Sequence, residues 1–145
     1  MVEELVREPL LLLAPPDHPL AGAARVRVRD LEHEPLIFTE LGCSYRNLFE
    51  HVLIAEGIYP TRNLEFSSIE AIKQCVMAGL GLTVLPKVAV DKELALGQLV
   101  ALAWQEQRLE VSTQMLWRPD QADSNALRKF REVARSMMGK ITEKV

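Results

Sequence analysis

Apolar positions along this chain fall into short continuous runs and helical stripes that alternate from one end to the other. Leu10 to Ala14 is an apolar run between Pro9 and Pro15, which favours a buried strand over a helix, because proline disfavours helical backbone in the residue before it. A proline-rich turn then carries the chain to Gly22. Val26 and Val28 alternate with Arg25, Arg27 and Arg29, and Asp30 ahead of Leu31 predicts a single helical turn. Pro35 to Thr39 reads as a second strand, with Leu36, Ile37 and Phe38 all apolar. Glu40 to Cys43 is a loop, and Ser44 is placed to cap a helix whose positions Tyr45, Leu48, Phe49, Val52 and Leu53 share one face. Gly57 ends that helix. Asn63 to Phe66 is a short strand, with Leu64 and Phe66 on one side.

The most ordered stretch follows. Ser67 and Glu70 have the spacing of a capping box, in which the hydroxyl accepts from a backbone N–H one turn in and the carboxylate reaches back. Ile69, Ile72 and Val76 recur at helical spacing, Gly79 stands where a left-handed C-terminal cap belongs, and Leu82 to Leu85 is an apolar run closed by Pro86. The prediction is helix, tight turn, buried strand. Beyond Pro86 a helix through Val90 ends near Gly97, Leu99 to Trp104 is apolar and extended, and Gln105 to Arg108 is a polar link. Val111 to Trp117 is a further strand. A last helix, starting near Asp123 or Ser124, is expected to bury Leu127, Phe130, Ala134 and Met137 or Met138 and to expose Arg128, Lys129, Arg131 and Arg135. Met1 to Arg7 is charged and short, and reads in part as a start created by where the chain was cut.

Strands alternating with helices predict an α/β protein with mainly parallel pairing, in which ligands bind at the carboxyl ends of strands. Two such ends matter. The strands through Phe38 and Phe66 each run into a serine-led helix, at Ser44 and at Ser67. Two helix N-termini facing one cleft suit a carboxylate or another small anion. Thr39, Ser44, Tyr45, Ser67 and Ser68 then line the cleft, with Thr83 near its floor at the end of the buried strand. The alternative stays open that each serine only caps its own helix.

Composition narrows the class. A chain of 145 residues, 48% hydrophobic and 26% charged, is one ordinary globular domain's worth. A formal charge of −3 gives no basic excess for neutralising phosphates, so the chain is not expected to hold DNA by itself. No run approaches ~18 apolar residues, so no membrane span is expected. The two cysteines, Cys43 and Cys75, form neither a metal spacing nor a disulfide framework, which suits a reducing cytoplasm. Cys43, just ahead of a helix N-terminus, is a candidate oxidant sensor against a plain loop cysteine, whereas Cys75 between Ile72 and Val76 reads as core. His18, His33 and His51 have no metal spacing, and no nucleophile elbow, P-loop or dinucleotide fingerprint occurs. No metal, cofactor or catalytic group is expected.

In its order of serine cap, helix, Gly79-Leu80-Gly81 turn and strand ending in Pro86, the stretch from Phe66 resembles the effector-binding domain of LysR-type transcriptional regulators. Leu10 to Ala14 followed by Pro15-Pro16-Asp17-His18-Pro19-Leu20-Ala21 resembles the family's strand and Pro-Asp/Gly-His-Pro-Leu segment. Asp30-Leu31 to Pro35-Leu36-Ile37 resembles its entry to the second subdomain, and Met115-Leu116-Trp117-Arg118 with the last helix its returning strand and final helix. The resemblance implies a periplasmic-binding-protein-like α/β fold, with one complete subdomain over residues 21–110 and part of another in 1–20 and 111–145. It also implies a small, anionic effector between subdomains, self-association into a homo-oligomer, and DNA contact only through a DNA-binding domain without counterpart here. A stand-alone solute-binding module of the periplasmic type is the alternative, which a secretory signal would favour. An enzyme on a similar scaffold is a third, against which the lack of an acid/base constellation counts.

Overall fold

The computed structural model describes residues 1–104, 109–118 and 124–142. In chain order its elements are β1 (Val2–Ala14), β2 (Leu36–Thr39), α1 (Ser44–Ala55), β3 (Asn63–Phe66), α2 (Ile69–Met77), β4 (Thr83–Pro86), α3 (Lys87–Ala95), β5 (Val100–Ala101), β6 (Glu110–Leu116) and α4 (Asn125–Thr142). Short 3-10 turns at Pro19–Gly22 and Val28–Leu31 lie between β1 and β2. The chain forms two compact units, one of Pro9–Leu109 and one of Met1–Glu8 with Glu110–Val145.

Within the larger unit, β2 and β3 run parallel, from Leu36 opposite Asn63 to Thr39 opposite Phe66. On the other side of β2 the chain entering β4 joins it in parallel: the Ile37 N–H donates to the Leu82 carbonyl at 2.8 Å and the Leu82 N–H to the Pro35 carbonyl at 2.9 Å. β4 and β5 both pair with β1, but antiparallel. The pairing is therefore mixed, not mainly parallel as expected. Parallel sense needs a crossover helix, and β2, β3, β4 and β5 are joined in turn by α1, α2 and α3; β1 instead leaves through a proline-rich segment and two 3-10 turns and runs against β4 and β5.

All four residues of β2 and all four of β4 are buried, which is why both read as unbroken apolar runs. Successive side chains on β2 serve opposite faces. Ile37 packs with Leu13, Ile72, Val76, Leu85, Val90 and Leu99, the core under α2 and α3. Phe38 turns the other way onto Phe49 of α1, ring centroids 5.5 Å apart, and Phe49 in turn meets the edge of Trp104. The two crossovers, β2 to β3 and β3 back across β2 to β4, run in opposite directions, and α1 and α2 pack on opposite faces.

The Gly-Leu-Gly turn is as predicted, each glycine for a different reason. Gly79 has φ +76° and closes α2, with the Leu80 N–H donating to the Cys75 carbonyl and the Gly79 N–H to the Val76 carbonyl. Gly81 lies so close to β2 that a Cβ there would stand 2.6 Å from the Pro35 oxygen.

In the smaller unit β6 pairs with β1, and Met1 and Trp117 exchange both backbone hydrogen bonds, as an antiparallel pair does. Residues 2–7, expected to be a charged start, are thus the first half of a strand that continues through Pro9. Extended backbone accepts the proline ring at the loss of one donor. α4 is rotated from the expected face. Phe130 and Met137 are exposed at 61% and 66%, while Arg131 joins Leu127, Ala134 and Met138 on the half-buried side. Arg131 is drawn inward because its guanidinium stacks over the Trp117 ring at 4.0 Å and pairs with Glu3 at 3.2 Å. The expected link over 105–108 and helix start at Asp123 lie outside the described residues; Ser124 immediately precedes the helix.

Candidate functional site

The carboxyl ends of β2 and β3 lie side by side, Thr39 opposite Phe66, and the helices that follow them depart to opposite faces. A sheet opens a crevice where neighbouring connections diverge in this way. Residues 39–46 continue from the end of β2 and residues 66–71 from the end of β3, so Thr39, Ser44, Tyr45, Ser67 and Ser68 all belong to the segments that leave this strand pair. Ser44, Ser67 and Ser68 are exposed and Tyr45 is half-buried.

The serines do not act as expected. The residue capping α1 is Cys43, with extended backbone and no side-chain bond, and Ser44 is already the first helical residue. At α2 the cap is Ser68, whose hydroxyl accepts from the Ala71 N–H at 3.3 Å; Ser67 precedes it. The capping box fails because Glu70 turns forward, its carboxylate taken by Lys73 at 2.8 Å and Gln74 at 3.2 Å. Those partners lower the Glu70 pKa, the Lys73 hydrogen bond foremost. Ser44 and Ser67 are thereby left with hydroxyls that no helix uses.

Thr39 is the least ordinary residue here. It is 6% exposed, and its Oγ1 is buried with no hydrogen-bond partner among the described residues. By alternation from Phe38 its side chain lies on the α2 face, toward the start of that helix. Thr83 differs from expectation: it begins β4 rather than ending it, and its buried hydroxyl donates to the Ile37 carbonyl at 2.8 Å. It stands beside Ile37, deeper in the sheet than the edge at Thr39.

Arg46, which the sequence reading passed over, ties the edge together. Its guanidinium donates to the Thr39 carbonyl at 3.0 Å, to Glu50 one turn along α1 at 2.8 Å and to Glu65 of β3 at 2.5 Å, and lies over the Phe38 ring at 5.3 Å. Desolvation acts against its charge, but the hydrogen bonds it donates to Glu65 and Glu50 outweigh it, and the pKa is raised. The spacing of Arg46 and Glu50 was visible in the sequence as a helical ion pair. The bonds to Thr39 and Glu65 needed the sheet register. No group of side chains among the described residues is arranged to hold a metal. No described helix is long and apolar enough to cross a membrane. Cys75 packs half-buried against the core, as its place between Ile72 and Val76 predicted.

The family model described as the LysR substrate binding domain matches residues 2–139. The chain belongs to that family. Among curated relatives, the uncharacterised HTH-type transcriptional regulator YwqM of Bacillus subtilis is 46% identical over 92% of this chain and 45% of its own length. The B. subtilis regulator GltR is 30% identical over 88% of this chain and 42% of its own. The chain spans about half the length of these relatives. Among solved structures, the CcmR regulatory domain of Synechocystis PCC6803, in complex with 2-PG, superposes with a TM-score of 0.84 at 25% identity, covering 95% of this chain and 66% of that one. The regulatory domain of MetR from N. meningitidis superposes at 0.81 with 24% identity, over 94% of this chain and 62% of its own, and shows the same fold. These are LysR regulatory domains with the expected periplasmic-binding-protein-like α/β architecture, and the relatives are transcriptional regulators. A stand-alone solute-binding module is not favoured.

Proposed function

We propose that this LysR-type domain senses a small anionic molecule at the carboxyl edge of β2 and β3. The carrying observation is the Thr39 hydroxyl, a buried polar group with no hydrogen-bond partner among the described residues, beside the start of α2. A buried hydroxyl left unpaired is costly, and such groups are kept where a ligand completes them. Free N–H groups at the starts of α1 and α2, with the idle hydroxyls of Ser44 and Ser67, supply donors without a mobile cation. That set favours a carboxylate or phosphate over a cation. The 2-PG bound by the CcmR domain supports a small-molecule ligand for this fold. The names of the curated relatives support a role in transcription control, with DNA contact made by the part of such regulators that this chain does not span.

The test is Thr39→Val, which keeps the volume and deletes the hydroxyl. Removing an unpaired buried polar group raises stability by about 1 kcal/mol, while anion affinity measured by calorimetry falls. Lower stability with unchanged affinity for every small carboxylate and phosphate bound by the parent would place the ligand elsewhere.

A further inference from the structure

We infer that Arg46 is the positioning residue of this edge: it contributes no charge to a ligand and instead fixes the start of α1 over the ends of β2 and β3. The inference deepens the anion-site reading and rests on it for its functional meaning. Its geometry stands independently.

The Arg46 side chain is 12% exposed, and its contacts among the described residues are with Thr39, Glu50, Glu65 and Phe38. It joins three elements at one point, being in the first turn of α1 while bonded to the last residue of β2 and to Glu65, the next-to-last residue of β3. Phe38 and Glu65 are register partners, so the guanidinium spans neighbouring strands while stacked on the Phe38 ring. The pairing is shared between two carboxylates for one guanidinium, which leaves no positive charge for an incoming anion. What Arg46 does supply is a blocked acceptor. The Thr39 carbonyl would otherwise present its negative end at the strand edge, where an anion would be repelled. With the guanidinium on it, that oxygen is satisfied, and the same residue's hydroxyl is held on the opposite side of the strand.

A planar fork making simultaneous bonds to a carbonyl and two carboxylates cannot be replaced by an ammonium, even though the charge is the same. Arg46→Lys is therefore the diagnostic change. It should raise hydrogen exchange at Asn47, whose N–H donates to the Cys43 carbonyl, and at the amides next along α1, on the order of tenfold. Exchange of the core amides of Ile72, Val76 and Val90 should stay within twofold or so, since a merely structural loss would raise all of them together. Glu65→Gln keeps a hydrogen-bond acceptor in the same place and should give a smaller, equally local rise. Unchanged exchange in the first turn of α1, or a uniform rise throughout, overturns the inference. The same samples titrated with inorganic phosphate and with citrate separate the two readings. A parent protein that binds neither contradicts the anion site, while the exchange pattern still decides the role of Arg46. If the parent binds one of them, Arg46→Lys should weaken it several-fold despite its retained charge.

Discussion

Two buried polar groups in the larger unit are treated in opposite ways. The Thr39 hydroxyl has no hydrogen-bond partner among the described residues, while Lys73 is paired twice over, with Glu93 at 2.8 Å and Glu70 at 2.8 Å, although it lies on the buried side of α2. A lysine at that position breaks the apolar stripe of Ile69, Ile72 and Val76, and nothing local in the sequence shows that Glu93, on the next helix, answers it. The hydrogen bond to Lys73 is the chief cause of a lowered Glu93 pKa, and Glu70 that of a raised Lys73 pKa. A depressed carboxylate pKa contributes stability that is present above the unfolded value, 4.5 for Glu93, and is lost as pH falls through the folded one. Lys73→Met leaves Glu93 buried without its cation, so its pKa rises instead of falling. Urea melts between about pH 3 and about pH 7 should show this contribution to parent stability rising up to about pH 5 and then level, and the variant's stability falling as pH rises above about 5. Parallel profiles would mean that Lys73 and Glu93 are not coupled in the folded protein.

Helices and strands were largely readable from apolar spacing, because β2 and β4 are buried throughout and α1 and α2 each bury one stripe against the sheet, so that burial imposes the pattern. What could not be read was anything set by a distant partner. The cap of α2 moved from Ser67 to Ser68 because Glu70 finds Lys73 a turn ahead, and α4 turned its Phe130 and Met137 outward because Arg131 finds Trp117. The site followed the same rule. The helices that follow β2 and β3 were legible, since serine-led helices after strands are local signals, but Thr83 was misplaced by depth, and Arg46 was invisible until β2 and β3 were in register. The two serines give a direct check on the cap. Ser68→Ala should cost about 1 kcal/mol in thermal unfolding, and Ser67→Ala should cost almost nothing. Equal losses would restore Ser67 as a capping residue.

For the molecule as a whole, family membership settles architecture more firmly than it settles chemistry. The match covers residues 2–139, and the chain spans about half the length of the relatives YwqM and GltR. What the larger unit does hold is a mixed sheet with a parallel strand pair whose following helices part to opposite faces, a buried hydroxyl at its end with no partner among the described residues, and an arginine neutralised by Glu50 and Glu65. Backbone amide resonances followed during titration with inorganic phosphate and small carboxylates report directly on that edge. Binding there predicts saturable shifts confined to residues 39–46 and 66–71, absent in Thr39→Val. Saturable shifts centred on β6 and α4, or none at that edge with any of these anions, would contradict it.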